Sequence, residues 1–386
     1  MGALDGIKVI DLGVLVQAPQ CCALLGDMGA DVVKVELPGI GDQSRWLPMA
    51  LDDPRSAWFL ANNRGKRSLT CDLRTPRGKE VFLRLVAVSD VLVSNFKPGT
   101  MEAWGLDYAT LAAANPGIIH AAGSAFGHLG PDAEREGADL AAQASAGLIG
   151  QTGVDGGEPT PVAVTICDHV AGLNLATGVL AALVARGRTG RGQQIEVSLL
   201  GGQVWAQAAE YTFFLERGAN PGRANGGHPM IPGIYGVFPT ADGHIAIVGV
   251  VGGARSTFFD AIGRPELRDA PPILFGEEKA AVFASLAAAF RERTTDEWCA
   301  VLAAAGQRFA PVRSYDAIVD DPQLRANGYL ADVDGRTVVG PPIRFSDTPA
   351  VAHADAPELG QHTEEILLEL GYGWDDIAAL GELGAI

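Results

Sequence analysis

The chain has 386 residues, 47% hydrophobic and 19% charged, a composition typical of a globular protein large enough for two domains. Its formal net charge of −17 argues against nucleic acid as a partner. The sequence contains no eighteen-residue apolar run and no secretory signal, so we expect no membrane partner and no export. Five cysteines without a C-x-x-C pair predict a cytoplasmic location, and seven histidines without ligand spacing predict no metal site.

The first 200 residues alternate apolar strands with helices. The segments Ile7–Leu12, Pro19–Met28 and Asp31–Val35 form a βαβ pattern, and the turn after its first strand lacks G-x-G-x-x-G. Helices separate further predicted strands at Arg67–Leu73, Val91–Phe96, Ile118–Ala122, Val162–Ile166 and Gln194–Val197. This alternation predicts an α/β domain, doubly wound around a largely parallel sheet.

A helix is predicted at Leu199–Glu216, and the pattern changes after Arg217, where turn-forming residues dominate Gly218–Gly233. We interpret residues 206–232 as a linker, and an Asp-Gly hairpin followed by helices at 233–319 predicts a smaller α+β domain. A return linker at 320–329 precedes a predicted strand at Thr337–Phe345 and a helix at Thr363–Leu370. We therefore assign residues 1–205 and 330–386 to the large domain.

The segment Thr160–Arg186 contains a carboxylate at a predicted junction. Its strand should end just before Asp168, and its helix should begin near His169. Asp168 is then either a helix N-cap or a carboxylate at the end of a strand, where open α/β sheets bind ligands and the helix dipole favours a nucleophilic anion. Spacing leaves both interpretations open. Gln17, on the first βα turn, is likewise either a site residue or an ordinary polar loop residue.

Basic residues cluster in one part of this acidic chain. Between Arg64 and Lys79 there are six basic residues, with Asp72 as the one acidic residue that opposes them. Such an island is either a solvated face or a site for a small polyanion, such as the phosphates of a nucleotide.

Longer motifs occur in a fixed order along the chain. They are LDGIKVIDLG, GADVVKVELPGIGDQSR, NNRGKRSLTCDLRTPRGKE, DVLVSNFKPGTMEAWGLDY, NPGIIHAAGSAFGHLGP, VTICDHVAG, RTGRGQQIEVSLL, GIYGVFPTADGHIAI and PIRFSDTPAVAHADAPELGQHTEEIL. Together they resemble the family III CoA-transferases, the CaiB–BaiF family, over nearly the whole chain. The resemblance implies two chains interlocked as rings in a homodimer. It also implies coenzyme A as substrate and carrier, with no permanently bound cofactor.

The resemblance also implies site residues. Asp168 aligns with the family's nucleophilic aspartate, Gln17-Ala18 with a pair beside the reacting thioester, and Asp139 is a candidate to tune Asp168. Gly226-Gly227 resembles a short form of the glycine loop that closes over the acyl group. Residues that match those holding the CoA nucleotide are Cys71, Asp72, Leu73, Arg74, Asn95, Phe96 and Lys97, with Arg135 as a further phosphate contact and Trp104 as an adenine-stacking candidate.

The implied activity is transfer of CoA from an acyl-CoA thioester to a carboxylic acid, through an anhydride and an aspartyl-CoA thioester on Asp168. The alternative is an α-methylacyl-CoA racemase, a branch of the family that uses a His–Asp pair in a Gly-His-Asp motif. The matching triplet ends in Ala138-Asp139, so His128 or His169 would have to supply the missing base. A CoA-binding protein without catalysis is the third possibility.

Overall fold

The computed structural model describes residues 1–250, 252–274 and 276–386. The strands are β1 (Lys8–Asp11), β2 (Asp31–Glu36), β3 (Arg67–Thr70), β4 (Val91–Ser94), β5 (Ile119–Ser124), β6 (Gln194–Ser198), β7 (Ile234–Pro239), β8 (His244–Val250), β9 (Phe309–Pro311), β10 (Leu330–Val333) and β11 (Arg336–Val339). The first helices are α1 (Gln17–Asp27), α2 (Ala57–Asn63), α3 (Pro76–Ala87), α4 (Thr100–Ala103), α5 (Tyr108–Ala114), α6 (Asp139–Ser145), α7 (Leu148–Gln151), α8 (Ile166–Thr189) and α9 (Leu199–Ala206). The later ones are α10 (Ala208–Arg217), α11 (Ala254–Ala261), α12 (Gly276–Phe290), α13 (Thr295–Ala304), α14 (Tyr315–Ile318), α15 (Pro322–Ala326), α16 (Thr363–Glu369) and α17 (Trp374–Glu382), with 3₁₀ helices at Gln43–Trp46 and Pro265–Asp269.

The chain divides into two compact units. The first contains Met1–Ala146, Ala163–Ala206 and Pro322–Ile386, and the second contains Gly147–Val162 and Gln207–Asp321. The segment Gly147–Val162, which the sequence places in the large domain, groups with the second unit. Residues 207–232, interpreted as a linker, group there as well, whereas residues 322–329 group with the first unit.

The first unit is built on a six-stranded sheet in which every neighbouring pair is parallel, in the order β3-β2-β1-β4-β5-β6. This confirms the predicted α/β class and the parallel sheet. The order reverses between β1 and β4, and ligands of open α/β sheets bind outside the carboxyl ends of the strands at such a point.

Alternate residues of the buried strands pack on opposite faces of this sheet. On β4, Val91 and Val93 join a core cluster with Leu25 of α1 and Val179 of α8. Leu92, between them, joins the opposite cluster, which contains Phe82 of α3. Because both faces are covered, β4 is apolar at three consecutive positions instead of at every second one.

Two predicted strands are wrong. Val162–Ile166 is not a strand, because α8 begins at Ile166 and continues for 24 residues. Thr337–Phe345 does not complete the large sheet, because β11 pairs with β10 in a separate antiparallel hairpin. β-branched residues favour strands only weakly, and tertiary contacts decide such short segments.

Helix α8 is also unusually apolar. By length and by a mean hydropathy of 1.5 it could cross a membrane, and 33% of its most apolar window is buried inside the structure. Its Leu175, Ala176, Val179 and Ala182 pack in the core beneath the sheet. A core helix of a globular protein passes the same test, so the absence of a membrane partner stays a prediction.

The second unit has its own core. The predicted hairpin forms from β7 and β8, and β9 adds a third antiparallel strand. Phe238, Phe258, Phe290 and Trp298 pack together against it, and the Trp298 indole N–H donates to the Phe290 carbonyl at 2.7 Å.

A network of buried charges lies at the carboxyl end of β1. The Lys34 ammonium is 2.8 Å from Asp42 and 3.6 Å from Asp11, and all three side chains are fully buried. The Lys66 ammonium is 2.6 Å from the same oxygen of Asp11 and also donates to Asn63. The neighbouring ammonium groups lower the pKa of Asp11 against the effect of burial, and the nearby carboxylates raise the pKa of Lys34. Asp11 and Lys34 are therefore ionised in the folded protein, whereas burial lowers the pKa of Lys66.

We expect Lys34→Met to destabilise the first unit by about 3–5 kcal/mol, because it leaves buried Asp42 without its cation. The measurement is the urea midpoint of unfolding. The matched control is Lys8→Met, at an exposed lysine of the neighbouring strand, which should stay within about 0.5 kcal/mol of the unmodified protein. Equal midpoints for both variants would contradict a role of the network in stability.

Candidate active site

Asp168 is the third residue of α8, inside its first turn, and is neither the N-cap nor the end of a strand. The residue that satisfies this helix terminus is Asp139, whose Oδ1 accepts from the N–H groups of Cys167 at 2.7 Å and of Asp168 at 3.3 Å. Its Oδ2 accepts from the amide of Gln143 at 2.6 Å. Since Asp139 does the capping, the carboxylate of Asp168 is left for another purpose.

The pKa of Asp168 is raised to about 7, first by burial and second by repulsion from Asp139. This differs from our expectation that the helix dipole would hold the group ionised. Near neutral pH the side chain is thus divided between its acid and its carboxylate. A partly desolvated carboxylate of this kind is a better nucleophile than one stabilised by hydrogen bonds.

Gln17 is the first residue of α1 and is 3% exposed. Its Nε2 is buried with no hydrogen-bond partner. The amide lies against Gly123 of β5, where a Cβ would approach Oε1 to 2.5 Å and Nε2 to 3.0 Å, so the position requires glycine. A buried donor without an acceptor is costly, and a ligand carbonyl would supply the acceptor.

The side chain of Ala18 is not placed to contact a substrate. The residue is fully buried, and a Cβ on Gly13 would come within 2.5 Å of its methyl group. Val16, the N-cap of this helix, makes no side-chain cap. The first turn of α1 thus offers backbone N–H groups to a ligand. For Ala18, the N–H is the group that can bind, because its side chain is buried.

A cavity of about 220 Å³ opens at the point where the strand order reverses. Its walls include Gly13 and Val14 of the turn after β1. Phe96 and Trp104 pack edge to face with ring centroids 5.1 Å apart. Of the residues predicted to hold the nucleotide, the structure brings together here Cys71, Leu73, Arg74, Phe96 and Trp104.

The other residues predicted to hold the CoA nucleotide are not among those that line this cavity. Asp72 holds Arg74 through two hydrogen bonds of 2.8 Å. Asn95 binds the backbone of Val14 and not the cavity. Lys97 is exposed on the turn after β4. Arg135 lies on the loop before α6, paired with Asp132 at 3.2 Å.

Most of the basic island is neutralised within the protein. Arg64 pairs with Asp27 at 2.5 Å, Lys66 with Asp11 at 2.6 Å, Arg67 with Asp31 at 2.8 Å and Arg77 with Glu80 at 2.8 Å. Interpreting the whole island as a phosphate site is therefore wrong. Sequence spacing could not show this, because the acidic partners of the first three come from other elements.

The predicted glycine loop belongs to the second unit. Gly226 has a φ of +80°, and a Cβ on Gly227 would be 2.2 Å from the carbonyl oxygen of Tyr235, so both positions favour glycine. The loop pairs with Gly236 of β7. A cavity of about 450 Å³ beside it is lined by Gly227, His228, Tyr235, Arg223, Lys279 and Phe283, among others. Among the residues that the structure describes, no group of three or more His, Cys, Asp or Glu could hold a metal.

Comparison with known proteins decides the family. The sequence profile of CoA-transferase family III matches residues 4–363. The chain belongs to this family.

Two relatives of this family III chain carry names for their reactions. Succinyl-CoA:mesaconate CoA-transferase of Haloarcula hispanica is 36% identical, covering 97% of this chain and 98% of the relative. Human succinyl-CoA:glutarate CoA-transferase is 32% identical, covering 98% and 88%. The crystal structure of a CaiB/BaiF family protein from Brucella suis superposes with a TM-score of 0.85 at 34% identity, over 96% of this chain and 99% of that one. The family III chain is accordingly an enzyme of the CoA-transferase class.

We expect Asp168→Asn to stabilise the folded enzyme increasingly as the pH rises from 5 to 8, by about 2–3 kcal/mol over this range. The native pKa of Asp168 is about 7 against an ordinary value of 3.8, so the native state binds the proton more tightly than the unfolded chain does. Ionisation between these values therefore destabilises the native protein, whereas asparagine has no charge to bury.

Thermal unfolding of variant and unmodified protein at pH 5 and pH 8 measures this difference. The control is Asp52→Asn, at an exposed aspartate, unfolded at the same two pH values. A pH-independent difference for Asp168→Asn would show that the folded protein does not raise the pKa of this carboxyl.

Proposed function

We propose that this CoA-transferase moves CoA from an acyl-CoA thioester to an acceptor carboxylic acid through covalent intermediates on Asp168. The observation that carries the proposal is a carboxylate in the first turn of α8 whose capping task is performed by Asp139. Burial raises the pKa of Asp168 to about 7, so ionised Asp168 is a reactive anion that is present in quantity near neutral pH.

The proposed reaction proceeds by two acyl substitutions in each direction. A carboxylate oxygen of Asp168 attacks the thioester carbonyl, and the C–S bond breaks to give a mixed anhydride and CoA thiolate. The thiolate then attacks the aspartyl carbonyl of the anhydride, which releases the donor acid as carboxylate and leaves CoA as a thioester of Asp168. The acceptor carboxylate repeats these steps in reverse and restores the aspartate.

The negative charge that develops on the acyl oxygen needs a donor. We propose that the unpaired Nε2 of Gln17 supplies it, with backbone N–H groups of the uncapped first turn of α1. The cost of leaving this amide without a partner in the free enzyme is recovered when the substrate binds.

Asp139 has two functions in this proposal. By accepting from the N–H groups of Cys167 and Asp168 it fixes where α8 begins, and by its charge it contributes to the raised pKa of Asp168. It touches no reacting atom in the proposed steps and is a positioning residue.

We propose that the CoA nucleotide occupies the cavity at the switch point of the sheet. Its walls of Leu73, Phe96 and Trp104 suit an adenine ring. At its edge, Asp72 binds Nε and Nη2 of Arg74, and Nη1 remains to donate to the phosphates. Because Asp72 already holds Arg74 in a two-point ion pair, the guanidinium is oriented before CoA arrives.

We propose small dicarboxylic acids as the substrate class, because the relatives are named for succinyl-CoA with mesaconate or glutarate. In the second unit, the cavity beside Gly226-Gly227 contains Lys279 and Arg223, cations that suit such acids. The acceptor preference is read by offering succinyl-CoA with a panel of acids and identifying the new thioester by mass spectrometry.

We also propose a homodimer and a cytoplasmic location. Helices α8 and α9 leave large apolar side chains exposed, namely Leu173, Val184 and Trp205, the last 75% exposed. A second copy of the chain would cover such a surface. All five cysteines are free thiols, which fits a reducing compartment.

We expect Asp168→Ala to lower CoA transfer by at least about 10³-fold, because the proposed nucleophile is lost. The direct measurement is mass spectrometry of the enzyme after incubation with acyl-CoA and hydroxylamine, which should convert Asp168 to a hydroxamate. Asp52→Ala, at an exposed aspartate, should retain both transfer and adduct. Full transfer without any adduct at Asp168 would refute the covalent route.

The racemase alternative needs a histidine base. His128 is 3.9 Å from Glu196, and burial lowers the pKa of His169 against the opposing charge of Asp139, while the position of the histidine in the Gly-His-Asp motif is Ala138. We expect His128→Ala and His169→Ala to retain most of the CoA transfer. The same proteins, given a 2-methylacyl-CoA in heavy water, should incorporate no deuterium at the α-carbon; rapid incorporation that either variant abolishes would favour the racemase.

A further inference from the structure

The turn between β1 and α1 contains a residue in an unfavourable conformation. Leu15 has a φ of +62°, in the left-handed region that side chains other than glycine avoid. Among described residues other than glycine, Asn225 and Asp334 also have a positive φ. Asparagine and aspartate tolerate that region through local hydrogen bonds, which leucine cannot make. The conformation of Leu15 therefore needs a cause outside the residue itself.

The preceding two residues of the turn are held by side chains. The N–H of Gly13 donates to Asp11 Oδ1 at 2.8 Å, and its carbonyl accepts from Lys34 Nζ at 2.9 Å. The N–H of Val14 donates to Asn95 Oδ1 at 2.8 Å, and its carbonyl accepts from Asn95 Nδ2 at 2.9 Å. All four polar backbone groups of Gly13 and Val14 are thus bound by side chains of other elements.

Leu15 itself is held by a buried acid. Its N–H donates to Asp42 Oδ1 at 3.0 Å. Asp42 is in turn fixed by the Lys34 ammonium at 2.8 Å and by the N–H of Ser44 at 2.8 Å. Strained backbone persists only where the surrounding structure determines it several times over, and such places cluster at functional sites.

The residue that follows this turn is Gln17. Its side-chain amide is buried, has an unpaired Nε2 and lies against Gly123. If Leu15 relaxed to a negative φ, the chain would enter α1 in another direction and carry this amide away from its place. The clamp on residues 13–15 therefore determines where the Gln17 donor is aimed.

We propose that Asn95 and Leu15 are positioning residues, which hold the amide of Gln17 in place through a clamped and strained turn. The inference rests on the proposed function, in which Gln17 donates to the acyl oxygen. It assigns Asn95 to the backbone of Val14, whereas the family resemblance implied a contact with the CoA nucleotide.

The test removes the hydrogen bonds of Asn95 in one variant and, in a second, also removes the conformational strain at Leu15. In Asn95→Ala the turn loses two hydrogen bonds while Leu15 still disfavours its φ, so kcat for CoA transfer should fall about 5- to 30-fold, with the KM for acyl-CoA changed by less than about threefold. In the double variant Asn95→Ala/Leu15→Gly, glycine adopts a φ of +62° without penalty. Its kcat should return to within about threefold of the unmodified enzyme.

The assay is steady-state transfer from succinyl-CoA to glutarate, followed by chromatography of the new thioester. Asn327→Ala is the matched control, because the Asn327 amide also donates to a backbone carbonyl, that of Gln323 at 2.8 Å, but on its own helical segment. Its kinetics should equal those of the unmodified enzyme. In a Gln17→Ala background, Asn95→Ala should lower kcat by less than about twofold further, since the positioned group is gone.

Several outcomes overturn the inference. A raised KM with unchanged kcat that Leu15→Gly does not repair would show that Asn95 contacts the nucleotide. An undiminished effect of Asn95→Ala in the Gln17→Ala background would show that the turn does not act through Gln17. If the wild-type enzyme transfers no CoA, the proposed function fails instead.

A second series does not depend on the folding of Asn95→Ala. Leu15→Val places a β-branched residue at the strained position and should lower kcat about 5-fold, whereas Leu15→Asn, which tolerates the left-handed region, should stay within about threefold. Equal kcat values for the valine and asparagine variants would contradict the proposed role of strain.

Discussion

The ion pair between Lys34 and Asp42 is the interaction on which the rest of the site depends. Both side chains are fully buried, 2.8 Å apart. A buried pair of this kind gains little stability over an apolar pair, because the removal of two charges from water costs about as much as their attraction returns. Its value here is geometric, since the lysine also holds the carbonyl of Gly13, and the aspartate also holds the N–H of Leu15. The pair thus fixes a turn that no local propensity would choose.

A second constraint acts at the start of α8. One carboxylate, Asp139, replaces the N-cap that Thr165 does not provide, and its charge also opposes ionisation of Asp168. Because Asp139 caps the helix, Asp168 is not needed for that role. Burial and the repulsion from Asp139 together raise the pKa of Asp168. Two aspartates at one helix terminus thereby take different roles, which are set by their surroundings and not by their chemistry. The unpaired amide of Gln17 completes the group of residues proposed to act on the acyl carbon.

Large parts of this fold follow from the chain alone. The alternation of strands and helices was sufficient for the parallel sheet, because a helix between two strands carries the chain back to the same end of the sheet, so that the strands run parallel. The Asp242-Gly243 hairpin formed as predicted, since its turn chemistry is local. The predicted strand at Val162–Ile166 was wrong because its structure depends on a distant residue. Ile166 and Cys167 belong to α8, and the N–H of Cys167 donates to Asp139, 28 residues earlier in the chain. The interpretation of the whole basic island as a phosphate site was wrong for the same reason, because the acidic partners of Arg64, Lys66 and Arg67 lie in other elements.

The sequence by itself determined the fold class, the family and the identity of the acidic and amide residues proposed for the site, because these rest on periodicity and on motifs contiguous in the chain. Only the tertiary structure decided which of those residues have free polar atoms. Asp168 and Gln17 have them, whereas Asn95 and most of the basic island are bound to other parts of the protein. The physical reason is that burial and hydrogen-bond partners depend on residues distant in the chain, and these two quantities control the pKa of Asp168 and the orientation of Gln17.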